Sequence, residues 1–449
     1  MTSGSPDNQG AKPSVLFINR VFPPEHGTTG RLVRDLSLAF AKDGWHVNII
    51  CAGNTDNVER HKNNDIRVHK VKSPLKSKTA LRYMKILWRL YKKGTRLPRH
   101  DLVISMTDPP MLAVAASRLA KRKKSAHIHW CQDLYPDLLP ALGVKIPRMF
   151  MSFLKRMSCK ALNSCDKVVV IGRDMAHYLV GEKIDPSLIS VIPNWPNMEL
   201  VRPAGGYHGS HRDQSDSTPG NRKSNRINGK QNYEIDIHSM KQGREPIINL
   251  FKDQNNPRFR VLYAGSISIA HPIETIMETA EILNKDHPEI EFVFVGDGPG
   301  FDTIAEQRAF RELANIRLIP FQPAHRLREL MESGDVHLIS MDERCRGLLV
   351  PSKLYSALAA ARPTIFLGPD KSEVATVLSD FKAGVITEQG NPQKLAKLIK
   401  YYRYNSEAWF TAQNGAAEAG QNFVPRQSLI AWLRRSRVVV KNHRVRTET

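Results

Sequence analysis

The sequence predicts an α/β protein built from two doubly wound parallel sheets, and three observations carry that expectation. Short β-branched runs alternate with amphipathic helices from residue 14 to about 194, a polar stretch interrupts, and the same alternation resumes at Arg258. Such alternation implies parallel strands joined by crossover helices. At 449 residues the chain also exceeds one ordinary core and suits two domains with extra segments.

In the first half, strands are expected at Val15–Ile18, Val47–Ile50, Ile66–Val71, Leu102–Ile104, His127–Trp130 and Val168–Ile171. Between the first two, a helix over Arg31–Lys42 carries Leu32, Val33, Leu36 and Phe40 on one face. His127 and His129 lie in one strand, and one of them is expected to face the core in a structural role. Residues 203–256 hold few large apolar groups and read as a linker or insert, disordered in its first half, with a short helix at Ile247–Phe251. The second half predicts strands at Arg258–Gly265, Phe292–Gly298, Ile316–Ile319, Val336–Met341, Thr364–Leu367 and Gly384–Ile386. A helix with Ile273, Ile276, Met277, Ala280 and Leu283 on one side follows the first of these. The expected division is a disordered N-terminus at 1–12, a Rossmann-like domain at 13–200, the insert at 201–256 and a second Rossmann-like domain at 257–405. C-terminal helices at 406–449 are expected to pack back on the first domain and end in a basic tail.

The formal net charge of +22 favours a polyanionic partner: nucleic acid, anionic lipid headgroups or a phosphorylated substrate. Its placement narrows the choice. Arg82, Lys85, Arg89, Lys92, Lys93, Arg96 and Arg99 are interleaved with Tyr83, Met84, Ile86, Leu87, Trp88, Leu90 and Tyr91. Pro147–Leu162 repeats the theme with Met149, Phe150, Met151, Phe153 and Leu154 beside Arg148, Lys155, Arg156 and Lys160. Each can be a core-packed helix with a solvated basic face, or a helix lying on a membrane. Two of them, together with Lys121–Lys124, favour a face for an anionic membrane. The tail from Arg434 to Arg446 belongs to the same face or is a frayed end. No apolar run reaches the length of a membrane span, and Met1–Lys12 lacks the apolar core of a signal peptide, so a cytoplasmic location is expected. The five cysteines are scattered and form no C-x-x-C arrangement, which suggests free thiols and neither a disulfide framework nor a zinc site.

The stretch Arg346–Ala360 reads as a short loop feeding a helix just after an apolar strand. A helix start there aims free N–H groups at an anion, with Ser352 and Lys353 as added donors. An ordinary helix cap is the competing reading. Gly27 and Gly30 flank a turn between the first strand and its helix, where missing side chains let backbone approach a ligand. Asp133 follows the strand ending near Cys131 and is expected at the strand-end edge facing a cleft, or as an N-cap for a helix near Tyr135.

Taken together, these segments resemble the GT-B glycosyltransferases of the large retaining family four, in the branch that builds bacterial exopolysaccharides and O-antigens, the colanic-acid type. The matching motifs in the first half are Phe22-Pro23-Pro24-Glu25 with Gly27 and Gly30, Asp108-Pro109-Pro110, Gln132-Asp133-Leu134-Tyr135-Pro136-Asp137 and Ile192-Pro193-Asn194-Trp195. Tyr263-Ala264-Gly265-Ser266, Val295-Gly296-Asp297-Gly298-Pro299, Pro351-Ser352-Lys353-Leu354-Tyr355 and Ser372-Glu373-Val374-Ala375 follow in the second.

The resemblance implies two Rossmann-like domains facing a cleft, the first for the acceptor and the second for a nucleotide sugar. It implies transfer of a sugar to a lipid-linked or oligosaccharide acceptor, with retention, on the cytoplasmic membrane face and without a cofactor. Asp133 is the implied catalytic group, orienting the acceptor hydroxyl or taking its proton. Glu25, His26, Gly27, Gly30 and Asp137 would line the acceptor side. Gly265, Ser266, His271, Arg346, Gly347, Pro351, Ser352, Lys353, Ser356 and Glu373 would hold the donor. Two departures stand out. Ser266 and His271 occupy a turn where many relatives carry Arg and Lys, and Leu348 and Ser356 stand where the wider family keeps two glutamates. Donor recognition then leans on Arg346 and Lys353. No Asp-x-Asp occurs in a strand-end context, so no metal is implied. Three alternatives remain at this level: a GT-B sugar-nucleotide epimerase, an inactive paralogue and a nucleic-acid-binding protein. The last has no recognised binding module to support it.

Overall fold

The computed structural model describes residues 12–24, 27–61, 66–73, 80–201, 258–296 and 299–448. Glu25, His26, the expected helix at Ile247–Phe251 with the rest of 202–257, and the Asp297-Gly298 pair lie outside the described residues.

The first domain opens with β1 (Ser14–Ile18), α1 (Thr28–Lys42), β2 (His46–Gly53), β3 (Asn57–His61) and β4 (Ile66–Lys72). It continues with α2 (Ala80–Arg96), β5 (Leu102–Ser105), α3 (Leu112–Lys123), β6 (Ala126–Cys131), α4 (Leu138–Ala141) and α5 (Arg148–Asn163). Closing it are β7 (Lys167–Val170), α6 (Arg173–Gly181) and β8 (Ile189–Val191). Its eight-stranded sheet runs β3-β4-β2-β1-β5-β6-β7-β8, parallel except for β3, which pairs antiparallel with β4. β5 and β6 are buried along their whole length, as strands covered by helices on both faces must be.

The second domain comprises β9 (Phe259–Ala264), α7 (Glu274–Asp286), β10 (Ile290–Val295), α8 (Pro299–Phe310), β11 (Ile316–Ile319), α9 (Leu327–Ser333) and β12 (Val336–Ser340). There follow α10 (Lys353–Ala359), β13 (Thr364–Leu367), α11 (Glu373–Asp380), β14 (Gly384–Thr387), α12 (Pro392–Tyr404), α13 (Ser406–Asn422) and α14 (Pro425–Glu448). Its six strands run β11-β10-β9-β12-β13-β14, all parallel.

α14 lies against α1 and β6 of the first domain. There Trp432 packs on Trp130 with ring centroids 4.7 Å apart, and Trp130 stacks on Trp195 at 5.7 Å. Three arginines of this helix meet acids of the same domain: Arg437 pairs with Asp43 at 2.6 Å, Arg444 with Asp101 at 2.7 Å and Arg446 with Asp166 at 2.6 Å. The basic tail is thus a docked helix rather than a frayed end, and three of its arginines neutralise carboxylates along one edge of the first domain.

The two domains share one core. Cys345, Leu348, Leu349 and Val350, between β12 and α10, pack in the same buried cluster as Trp130, Leu134 and Met175 of the first domain. Burial of such side chains supplies roughly 25 cal/mol per Å² of apolar surface removed from water, so this junction is a substantive contact.

Candidate active site

Parallel sheets gather functional groups at the C-terminal ends of their strands, where the chain leaves one strand for the next helix. Three adjacent strands of the first domain, β1, β5 and β6, end side by side. Arg20, Asp108 and Asp133 each stand just beyond one of them. The Arg20 amide donates to the Asp108 carbonyl at 2.7 Å, and its Nε donates to Asp108 Oδ1 at 2.7 Å. Asp133 is half-buried and does not cap a helix; it forms a lone antiparallel bridge with Leu349 of the second domain. Its carboxylate takes no hydrogen bond from a described residue, and its pKa is pushed up to about 7, mainly by burial and then by the charge of Asp108. A cavity of about 20 Å³ beside it, lined also by Thr107, His129 and Tyr135, has room for a single water.

His129 is no free base. Both His127 and His129 are buried and hydrogen-bond to the Ser105 hydroxyl, at 2.9 and 2.8 Å. Burial lowers them to about 3 and about 4, so both are neutral. The expectation that one of the two faces the core thus becomes a finding for both.

Opposite stands the second domain. β9 is followed by Gly265, whose φ of 122° suits glycine and whose added Cβ would come 3.2 Å from Lys353 Cε. Lys353, the first residue of α10, donates through Nζ to the Ser266 carbonyl at 2.9 Å and lies 5.0 Å from the centre of the Tyr263 ring. Among the described residues no carboxylate pairs with it. Burial lowers its pKa to about 7. His271, whose Nδ1 is 2.9 Å from the Ser268 hydroxyl, is lowered to about 3 by burial and then by Lys353. A recessed cation with no counter-charge, facing a glycine turn, is suited to an anion.

The other sequence candidates divide. Pro351 is buried, Ser352 and Ser356 are half-buried on the same turn and helix, and Arg346 is exposed with its guanidinium unbonded among the described residues. Ser352 makes no side-chain cap bond. Gly347, with φ 71°, faces the first domain, since an added Cβ would lie 3.2 Å from Tyr178 Cβ and 3.3 Å from the Asp174 carbonyl. Glu373 is likewise turned to that domain. Its carboxylate accepts from the Arg173 amide at 2.7 Å and from Arg173 Nε at 3.2 Å, while its own amide donates to Asp174 at 3.0 Å. Asp137 is held by Lys155 at 2.9 Å and by the Tyr178 hydroxyl at 2.8 Å. Leu348 is buried and its carbonyl accepts from the Leu134 amide at 2.8 Å. Gly27 is exposed at the start of α1 and Gly30 is buried against Val21.

Arg20 was missed from sequence, and Asp108 was read only as part of a motif. Sequence shows only that each follows a strand; that β1 and β5 are neighbours comes from the sheet order.

The chain matches two family models in tandem: Glycosyltransferase Family 4 over residues 29–200 and Glycosyl transferases group 1 over residues 248–409. It is 24% identical over 310 residues to a probable glycosyltransferase, WbjE, of Pseudomonas aeruginosa, covering 69% of this chain and 67% of that one. Sucrose-phosphate synthase from Thermosynechococcus elongatus superposes with a TM-score of 0.69 at 14% identity, over 96% of this chain and all (100%) of that one. HepE of Anabaena in complex with UDP-glucose superposes with a TM-score of 0.59 at 13% identity, over 97% and 99%.

Proposed function

We propose, for a chain that is a glycosyltransferase of the GT-B type by its fold and its two family matches, that it moves a sugar from a nucleotide-diphosphate donor to a lipid-linked glycan. The observation that carries the donor half is Lys353, an unpaired recessed ammonium against the Gly265 turn. There the leaving diphosphate would gain charge as the bond to the sugar breaks, and a fixed cation stabilises that charge without a metal. Arg346, Ser352 and Ser356 complete the donor side, and the UDP-glucose held by HepE supports a donor of this class. Asp133, bridged main chain to main chain with Leu349 of the second domain, orients the acceptor hydroxyl or takes its proton as the new bond forms. Retention of configuration follows the family resemblance.

The acceptor's lipid anchor is supported by α2 and α5, which both pack on α3. Leu81, Met84 and Trp88 of α2 are 75%, 61% and 56% exposed, and Met149, Phe150 and Phe153 of α5 are 88%, 52% and 55% exposed. Arg82, Lys85, Lys92, Arg148 and Arg156 flank them. This is the apolar row with a basic rim that a helix on an anionic membrane presents. Among the described residues no helix is long and apolar enough to cross a membrane. A surface glycan of the polysaccharide or O-antigen kind is the product we infer, built on the cytoplasmic face. The test is a thermal-shift screen of UDP-, GDP-, ADP- and TDP-sugars: one of them should stabilise the protein, and silence from all would sink the donor assignment.

A further inference from the structure

Buried side chains of β5, β6 and the end of α5 form one hydrogen-bonded chain, and its ends fix where each proton lies. His129 Nδ1 is 2.8 Å from Ser105 Oγ, Ser105 Oγ is 2.9 Å from His127 Nε2, and His127 Nδ1 is 3.3 Å from Cys165 Sγ. The Cys165 thiol donates to the Ala161 carbonyl at 3.3 Å. A carbonyl can only accept, so the single thiol proton is spent there and Sγ accepts from His127 Nδ1–H. His127 is neutral, burial holding it at about 3, so its Nε2 is bare and accepts from the Ser105 hydroxyl. Ser105 Oγ accepts in turn from His129 Nδ1–H. A hydrogen bond of the His129 ring with the Ser105 main chain favours the same arrangement. His129 is neutral as well, which leaves its Nε2 without a proton.

His129 lines the small cavity beside Asp133 together with Thr107. Thr107 Oγ1 is buried and has no hydrogen-bond partner among the described residues. A buried hydroxyl left unsatisfied is costly, so such a group calls for a partner. The Asp133 carboxyl, on the same cavity, likewise takes no hydrogen bond from a described residue.

We propose that one ordered water in this cavity accepts from Thr107 and donates to His129 Nε2 and to Asp133, making Thr107 and His129 positioning residues that hold the Asp133 carboxyl for its acceptor. This rests on the catalytic reading of Asp133 given above. A space of about 20 Å³ takes one water, and about three polar partners are what a buried water makes. When Asp133 carries its proton, it donates to the water, which then donates to His129 and Thr107. His129 Nε2 is an acceptor in both states, so the link survives the proton transfer.

The first test needs no substrate, so it fails separately from the transferase reading. Long-range 1H–15N correlation of protein labelled with 15N-histidine is expected to show His129 with a protonated Nδ1 and a bare Nε2, its signals being assigned by their loss in His129→Gln. A high-resolution crystal structure, which needs no variant, is expected to show one water within hydrogen-bond distance of Thr107 Oγ1, His129 Nε2 and Asp133. A protonated Nε2, or a cavity in which no water touches both Thr107 and His129, overturns the proposal. With an acceptor in hand, Thr107→Val is expected to lower kcat about 10-fold with the donor KM unchanged, and Thr107→Ser, which keeps the hydroxyl, to retain the parent rate. An unchanged kcat in a folded Thr107→Val, or an equal loss in both variants, overturns the positioning role.

Discussion

Asp133 of the first domain and Leu349 of the second pair main chain to main chain across the domain junction, with the adjacent Leu134 amide donating to the Leu348 carbonyl at 2.8 Å. The proposed acceptor residue is thereby held in register with the loop that leads to Lys353. Closure of two domains around a donor is what excludes water and brings the reacting groups together.

The Arg173–Glu373 contact is a second tie across the same junction. Arg173 is half exposed, so the pair contributes on the order of 1 kcal/mol. Glu373→Ala should raise the donor KM a few-fold, about 3- to 10-fold, and increase the radius of gyration in small-angle scattering. An unchanged radius together with an unchanged KM would show that the tie is not used in closure.

Donor affinity should depend on pH through Lys353. Its pKa in the free protein is lowered to about 7 by burial, and a bound diphosphate raises it again by favouring the charged form. Binding above about pH 7 must therefore take up a proton, and affinity should weaken as pH rises from 7 to 9. Calorimetry in buffers of different ionisation enthalpy reads that uptake directly; none at pH 8 would contradict a lysine contact.

For Asp133 the folded pKa of about 7 lies above the ordinary 3.8, so the folded protein binds the extra proton between these values. Its contribution to stability is present below about pH 4 and is lost as pH rises through 7. Asp133→Asn should thus be more stable than the parent at pH 8, by up to about 4 kcal/mol, and equal to it at pH 4. The same variant should lose about 100-fold or more in kcat with little change in donor binding. A kcat within a few-fold of the parent's would remove Asp133 from the chemistry.

Vesicle binding should require the exposed apolar rows. Trp88→Ser combined with Phe150→Ser should abolish flotation with anionic vesicles, and Arg82→Glu with Lys85→Glu should weaken it by about 1 kcal/mol per charge removed. Flotation unaffected by both pairs would place the lipid contact elsewhere.

Much of this architecture was legible in the sequence because buried parallel strands write continuous apolar runs: Val47–Ile50, Leu102–Ile104 and Thr364–Leu367 fall inside β2, β5 and β13. Asn57–His61 was not legible. It is an edge strand with one large apolar residue, Val58, which is 54% exposed, and edge strands carry no two-sided burial pattern. Lys353 was legible because a lysine at a helix start after a strand is a local pattern. The row of Arg20, Asp108 and Asp133 was not, since it exists only once the strand order sets β1, β5 and β6 side by side. Gly347 and Glu373 lie near the donor loop in sequence, yet which wall they face is decided by tertiary packing against Tyr178 and Arg173.

Lys353, which pairs with no carboxylate among the described residues, is proposed to hold the donor diphosphate. The dissociation constant of the nucleotide sugar that gives the largest thermal shift, measured for the parent and for Lys353→Ala at pH 7, decides this. A charge-assisted hydrogen bond of about 1.5–3 kcal/mol predicts a loss of about 10- to 100-fold, with the fold intact by circular dichroism. An unchanged dissociation constant in a folded Lys353→Ala would contradict it.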